Sequence, residues 1–223
     1  MRTRLAAVAA LTLVALAGCS TPAPVATPTA AAPASSPSAT PEPEAAVPSE
    51  LVVRGAGVEL YDTDGTLVGS FIWADETEAA LEVLELAFGP APAPGLNLGD
   101  GTHYADYETY DFEGLLYFSA IDLGKPRNEY FLPATVQVDA AQIGEVSIRT
   151  VDGLRVGGSG ADVRSLSPAL DYPHAQGIAY LLDPVDPARV SDPEDATDMV
   201  AAVVGEADRV VRLIAPYPSR SFV

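Results

Sequence analysis

The chain has 223 residues, of which 31 are acidic and 12 are basic, and its formal net charge is −19. A surface this acidic repels phosphate groups, which excludes nucleic acid and anionic lipid headgroups as partners. Cationic partners or loosely held divalent ions are the electrostatic candidates, and the simpler interpretation of the charge is solubility. Cys19 is the only cysteine. An intramolecular disulfide is therefore excluded, and the folded part of the chain depends on its core.

The first residues have the organisation of a secretory signal. Arg2 and Arg4 precede an apolar run of about a dozen residues, which is too short for a membrane span of roughly twenty. Residues 16–19 (sequence LAGC) follow, and they resemble the lipobox of bacterial lipoproteins. The resemblance implies that residues 1–18 are a cleaved signal peptide and that the sulfur of Cys19 carries a diacylglycerol. The alternative is an ordinary cleaved signal that contains a cysteine by chance.

Two consequences of the lipobox resemblance concern location and charge. A diacylglycerol at Cys19 implies that the protein is anchored to the cell membrane on its extracytoplasmic face. Cleavage would remove Arg2 and Arg4 but no acidic residue, which changes the net charge from −19 to −21. The membrane is thus an expected partner through the lipid, and not through surface charge.

Residues 19–48 are predicted to be a disordered tether. They consist mainly of Ala, Pro, Thr and Ser and contain no aromatic residue, so they cannot bury enough apolar surface to offset the entropy of ordering. Their prolines favour extended polyproline II, with a reach of up to about 90 Å. The folded domain is predicted to occupy residues 49–223.

The first element of the domain is predicted to be a β-hairpin. Residues 57–61 and 67–73 are rich in apolar side chains and flank residues 62–65 (sequence DTDG). Asp-Gly between apolar runs is a strong hairpin signal, and we expect positive φ at both positions. The spacing of the two aspartates superficially resembles a calcium loop, but the later acidic ligands are missing. We interpret the segment as a turn.

Residues 76–88 are predicted to form the main helix. Asp75 is expected to cap it, and glycine followed by proline at 89–90 ends it. Leu81, Leu84 and Phe88 recur at three- and four-residue spacing, so we expect them to face a sheet. The glutamates on the opposite face are expected to be solvated.

The rest of the domain reads mainly as strands around one short helix at about 161–166. After a Pro- and Gly-rich loop at 90–107, the predicted strands are 107–112, 115–121, 134–138, 145–150, 178–182, 199–204 and 209–215. These elements predict an α+β domain, with a mainly antiparallel sheet, one main helix and one short helix.

The domain is also predicted to contain a weak tandem repeat. Residues 64–70 (sequence DGTLVGS) are similar to residues 152–159 (sequence DGLRVGGS), which contain one inserted residue before the serine. This similarity predicts two hairpin-helix-sheet modules, at about 57–139 and 144–215.

Two further resemblances rest on turn and helix-end residues. The first resemblance is to the helix-then-sheet module of β-lactamase-inhibitor-like and small outer-membrane-assembly lipoproteins. It rests on residues 153–163 and on the predicted sheet that follows them and ends with residues 208–214. Asp64-Gly65 in the first hairpin and Phe88-Gly89 at the helix end resemble envelope lipoproteins of actinobacteria. None of the matched positions is catalytic in those families, so the resemblance implies no catalytic residue.

Few residues suit catalysis. Residues 157–161 (sequence GGSGA) lack the final glycine of a serine nucleophile elbow, no thiol remains once Cys19 is lipidated, and no phosphate-binding loop is present. His103 and His174 are the two residues that could act as bases near neutral pH. We expect no cofactor.

One cluster has the composition of a metal site. Asp100, His103, Asp106 and Glu108 lie within nine residues and offer carboxylate and imidazole ligands. They lie in a loop-rich segment of a chain that is acidic throughout. We therefore treat them as weak candidates, and we expect no metal site.

The sequence supports two functions. The first is a non-enzymatic, membrane-anchored envelope lipoprotein that binds a protein or a cell-wall component. The second is a small hydrolase or metal-dependent enzyme that uses His103 or His174 with carboxylates. Convergence of a histidine with carboxylates in a pocket would favour the enzyme.

Overall fold

The structure is a computed structural model, and it describes residues 46–99, 105–185 and 198–218. The chain divides into the units 1–43 and 44–223, and all described residues belong to the second unit. The helices are α1 (Thr77–Phe88) and α2 (Gly160–Ser165), and a 3₁₀ turn spans Arg127–Glu129. The strands, in chain order, are β1 (Pro48–Val53), β2 (Gly57–Asp62), β3 (Leu67–Ile72), β4 (Gly95–Asn97), β5 (Asp106–Asp111), β6 (Leu115–Ile121), β7 (Ala134–Val138), β8 (Gln142–Ile143), β9 (Val146–Thr150), β10 (Leu170–His174), β11 (Gly177–Leu182), β12 (Asp198–Val204) and β13 (Val210–Pro218).

The expected α+β class is wrong. Strands make up 47% of the described residues, whereas α1 has 12 residues and α2 has 6. The fold is therefore β-rich, with α1 as an accessory that packs against strands.

The strands form two sheets. The five-stranded sheet has the order β3-β2-β1-β9-β8, and its β1–β9 pair is parallel. The eight-stranded sheet has the order β10-β11-β12-β13-β7-β6-β5-β4, and all its pairs are antiparallel. The expectation of mainly antiparallel pairing is confirmed.

The two intervals of the predicted repeat do not form separate modules. β9 from the second interval pairs with β1, and β13 pairs with β7 of the first interval, so the second interval contributes strands to both sheets. The second Asp-Gly does not join two strands. After β9 the chain folds back tightly, because Thr150 N–H donates to the Leu154 carbonyl and Leu154 N–H donates to the Thr150 hydroxyl.

The first predicted hairpin is confirmed as β2 and β3. Asp62 Oδ1 accepts hydrogen bonds from the backbone N–H groups of Asp64, at 2.9 Å, and Thr66, at 2.8 Å. Gly65, at φ +77°, is the residue of this turn with positive φ. The expectation of two such residues is wrong, because the Asp62 side chain organises a longer loop with a single left-handed position.

Helix α1 matches the predicted helix, but Asp75 does not cap it. The N-cap is Glu76, which forms no side-chain cap, while Asp75 Oδ2 accepts from Ile72 N–H at 2.9 Å. Leu84 is fully buried, and Leu81 and Phe88 pack against the core. The predicted orientation of this face is confirmed.

The main core contains side chains from both sheets and from α1, including Leu51 and Leu60 of the five-stranded sheet and Leu115 and Tyr117 of the eight-stranded sheet. Trp73 also belongs to this core. Its indole N–H donates to the Gly55 carbonyl at 2.6 Å. None of the helices in the described part of the chain has the length and apolarity needed to cross a membrane.

Candidate functional site

Two of the four residues of the predicted metal cluster lie among the residues that the structure describes. Asp106 and Glu108 lie on β5, where Asp106 Oδ1 accepts from Gly99 N–H at 2.9 Å. Asp100 and His103 fall outside the described residues. Within the described ranges, no three His, Cys, Asp or Glu side chains are arranged to hold a metal ion.

His174 is not brought together with these carboxylates. It lies on β10, and five strands separate β10 from β5 in the sheet order. Its Nδ1 accepts from Gln176 N–H at 3.1 Å. Burial lowers the pKa of His174, and the positive charge of Arg212 lowers it further. Asp106 and Glu108 therefore cannot serve as the catalytic carboxylates that the hydrolase alternative requires beside His174.

Glu108 instead lines a groove of about 480 Å³ beside the first turn of α1, which we call the α1 groove. One wall comes from the start of α1, the other from β5, the end of β6 and the loop after it. The lining residues are Glu76, Thr77, Glu78, Leu81, Glu108, Tyr110, Ala120, Ile121, Asp122, Leu123, Lys125 and Arg127.

A hydrogen bond fixes the two walls to each other. The hydroxyls of Thr77 in α1 and Ser119 in β6 lie 2.6 Å apart, and Ser119 is fully buried. Each hydroxyl thus meets the other's hydrogen-bonding need in a place with little access to water.

Arg127 holds the loop end of the groove. Its guanidinium donates to three backbone carbonyls: Asp75 at 2.8 Å, Ala120 at 3.0 Å and Pro133 at 2.9 Å. The planar fork of arginine matches several acceptors at once, which fixes the side chain in one geometry. Arg127 therefore acts here as a structural clamp.

Tyr110 and Glu108 form a hydrogen-bonded pair in the β5 wall. The Tyr110 hydroxyl donates to Glu108 Oε2 at 2.9 Å. Burial raises the pKa of Tyr110 to about 12, and the bond to Glu108 adds to the rise. The phenol keeps its proton near neutral pH, so it remains a donor and orients the carboxylate.

The charge of the groove is predominantly negative. Four carboxylates line it, from Glu76, Glu78, Glu108 and Asp122, against the cations of Lys125 and Arg127. Arg127 is occupied by carbonyls, and the Lys125 ammonium lies 5.4 Å from the centre of the Tyr130 ring, where it can form a cation–π contact. Apolar side chains of Leu81, Ile121 and Leu123 lie between the charges.

This arrangement suits binding better than covalent chemistry. The Thr77 hydroxyl is bonded to Ser119, and no histidine or cysteine is among the lining residues. A nucleophile with an adjacent base is therefore not assembled in this groove. An acidic cleft with apolar methylene contacts is suited to a cationic side chain with a long stem.

Sequence reasoning found one residue of this groove, Glu108, and assigned it to a metal cluster. Thr77 and Arg127 could not be predicted because they come from segments that meet only in the folded chain, whereas Tyr110 lies on the same strand as Glu108. The predicted lipid site, Cys19, lies outside the described residues. Comparisons with protein-family models, with curated proteins and with solved structures found no match to this chain.

Proposed function

We propose that this protein is a non-enzymatic recognition lipoprotein, anchored through a diacylglycerol at Cys19 on the extracytoplasmic face of the cell membrane. Its α1 groove binds a cationic segment of a protein partner. The observation that carries the proposal is a cleft with four carboxylates in which the one arginine is held by backbone carbonyls.

The charge of the groove determines which ligand it favours. A lysine or arginine side chain can contact Glu78 and Glu108 with its charged end, while its methylenes pack on Leu81 and Ile121. An anionic ligand would meet uncompensated carboxylates. The overall charge, −19 for the full chain and −21 after the proposed cleavage, adds a long-range attraction for cationic partners, which speeds their association.

The hydrogen bonds that join the walls of the groove support selective binding. The Thr77–Ser119 bond and the Arg127 clamp fix both walls before a ligand arrives. A preformed site loses less conformational entropy on binding than a mobile one. The partner's side chain therefore meets the carboxylates already in place.

The binding proposal is tested by titrating the full chain, in detergent, with capped hexapeptides that alternate lysine and leucine. The matched control peptide carries acetyl-lysine, which keeps the stem and removes the charge. We expect saturable binding of the lysine peptide, weakening as salt rises, and at least tenfold weaker binding of the acetylated one.

Two substitutions locate the binding. Glu108→Gln and Glu78→Gln should each weaken binding of the lysine peptide by about three- to tenfold, since each substitution removes one charged partner. Glu82→Gln changes an exposed glutamate of α1 that does not line the groove and should have no effect. Equal effects of all three would place the binding in general surface charge and not in the groove.

The anchor is tested separately. Cys19→Ser should abolish lipid attachment, measured by mass spectrometry of the purified protein, and should release the protein from the membrane fraction. A variant that still sediments with membranes would contradict the anchor but not the binding proposal.

A further inference from the structure

A second groove, of about 530 Å³, lies on the five-stranded sheet where β1 begins and β2 ends, next to β9. We call it the sheet groove. It shares no lining residue with the α1 groove. Its polar side chains are supplied by three neighbouring strands and the β2–β3 turn, so the sheet itself sets their spacing.

The strand register places the key side chains on one face. Glu50 of β1 is paired with Tyr61 of β2 on one side and with Ser147 of β9 on the other. Arg149 lies two residues further along β9, on the same face as Ser147, because side chains alternate along a strand. These four side chains line the groove together.

The charged groups that line the sheet groove already have partners within the protein. Arg149 Nη2 lies 2.7 Å from Glu50 Oε2, and Arg155 Nη2 lies 3.6 Å from Glu50 Oε1. Asp62 Oδ1 accepts two backbone N–H groups. An incoming anion therefore finds no unpaired cation that would offset its lost hydration. An incoming cation would meet one carboxylate that is already paired with arginine and one that already accepts two backbone N–H groups.

The groove also offers hydrogen-bonding capacity that the protein does not use. The hydroxyl of Thr63 has no hydrogen-bond partner among the described residues, and it can both donate and accept. Carboxylate oxygens of Glu50 and Asp62 accept, while the guanidinium of Arg149 donates. The cleft thus contains both donors and acceptors.

Tyr61 adds an apolar surface to this polar set. Its hydroxyl donates to Glu59 Oε2 at 2.7 Å, which fixes the position of the ring at the groove. A fixed aromatic ring can pack against the C–H groups of a ligand without a large entropy cost.

From this combination we infer that the sheet groove binds a neutral polyhydroxyl ligand, of the oligosaccharide class. Every hydroxyl of such a ligand both donates and accepts, so it can use the carboxylates, the guanidinium and the free hydroxyl of Thr63 together. It brings no charge that would need a counter-ion, and its C–H faces can lie on Tyr61. This site is independent of the proposed cationic partner, because it uses a different groove.

The test uses the full chain in a sugar-free detergent and calorimetric titration with neutral trisaccharides: triacetylchitotriose, cellotriose and maltotriose. The charge control is chitotriose, which has the same backbone as triacetylchitotriose but carries free amines. We expect saturable binding of at least one neutral trisaccharide with a Kd below about 1 mM, and a weak dependence on salt.

Two variants locate the ligand in the sheet groove. Thr63→Ala removes a hydroxyl from an exposed turn position, so it leaves the fold unchanged, and it should weaken binding about threefold or more. Arg149→Lys keeps the charge but loses the fork and should weaken binding at least tenfold, with thermal unfolding recorded to verify folding. Glu78→Gln, in the α1 groove, should leave sugar binding unchanged.

Three results would overturn the inference. The first is no saturable binding of any neutral trisaccharide up to about 10 mM. The second is binding of chitotriose alone, which would assign recognition to the amines and leave the α1 groove as the responsible site. The third is sugar binding that Thr63→Ala and Arg149→Lys do not change.

Discussion

The guanidinium of Arg127 donates to the backbone carbonyl of Asp75, which precedes it by 52 residues, at 2.8 Å. With its bonds to Ala120 and Pro133, this side chain joins the turn before α1 to the end of β6 and to the segment that enters β7. One side chain therefore positions both walls of the α1 groove.

Arg127→Lys should destabilise the protein by about 2–4 kcal/mol, because a lysine cannot satisfy three carbonyls in one plane and leaves part-buried acceptors without a donor. Urea denaturation measures the change. Arg155→Lys, at an exposed position, is the control and should alter stability by less than about 0.5 kcal/mol. If both variants unfold at the same urea concentration as the parent, Arg127 is not a clamp.

Leu84→Ala should cost about 2–5 kcal/mol, since Leu84 is 0% exposed and its loss leaves a cavity between α1 and the sheets. Leu86→Ala is the matched control on the same helix, where the side chain is 48% exposed, and should cost about 1 kcal/mol or less. Comparable losses from the two variants would show that the buried face of α1 is misassigned.

Gly160→Ala should destabilise the protein by about 1–3 kcal/mol, because the added Cβ would overlap the Asp208 carboxylate and lie 2.6 Å from Val204 Cγ1. The displaced Asp208 carboxylate is the group that binds the Arg164 guanidinium. In Gly69→Ala the nearest atoms are the Val83 methyls at 3.4 Å, so this control should be close to neutral. Thermal unfolding of the two variants distinguishes a specific clash from a general cost of adding a methyl group.

Tyr110 should make stability depend on pH in the alkaline range. Its pKa is raised from 10.0 to about 12 in the folded protein, so the unfolded chain loses this proton first. Below pH 10 the raised pKa of Tyr110 contributes fully to the free energy of unfolding. As the pH rises from 10 to about 12, this contribution is lost and the free energy of unfolding falls.

Tyr110→Phe should remove this part of the alkaline decline, measured as urea midpoints at several pH values, at the cost of about 1 kcal/mol for the lost bond to Glu108. Tyr130→Phe, outside the groove, is the control. A Tyr110→Phe variant with the same alkaline decline as the parent would show that this phenol does not contribute to it.

Local patterns predicted several elements well. The predicted strands 115–121 and 134–138 have the bounds of β6 and β7, and the Asp-Gly turn at 64–65 joins β2 and β3. In each case the signal is local, since turn chemistry and apolar alternation depend on neighbouring residues.

The fold class was missed because the decisive strands carry little local signal. β1 begins at Pro48, directly after the predicted tether, and β4 has three exposed residues without alternation. Glu50 and Ser147 are far apart in the chain but pair in parallel strands. Hydrophobic periodicity within a segment cannot predict a pairing between distant segments. Without these strands, the sequence pattern predicts too large a share of helix in the domain.

The α1 groove was hidden for a related reason. Arg127 donates to backbone carbonyls. Because every residue has a carbonyl, the residue types in the sequence do not indicate which of them accept these hydrogen bonds. Glu108 was found because carboxylates are visible in a sequence. Its partner Tyr110 lies two residues away on the same face of β5, where side-chain alternation could have predicted the contact.

The position of β1 also affects how the domain bears mechanical load. β1 is the middle strand of its sheet, and residues 50–53 pair with β2 on one side and β9 on the other. A force applied through the residues before Pro48 acts along the strand, so both rows of hydrogen bonds are sheared together and cannot open one at a time. A domain pulled from this end should resist extension more strongly than one pulled from an edge strand such as β3.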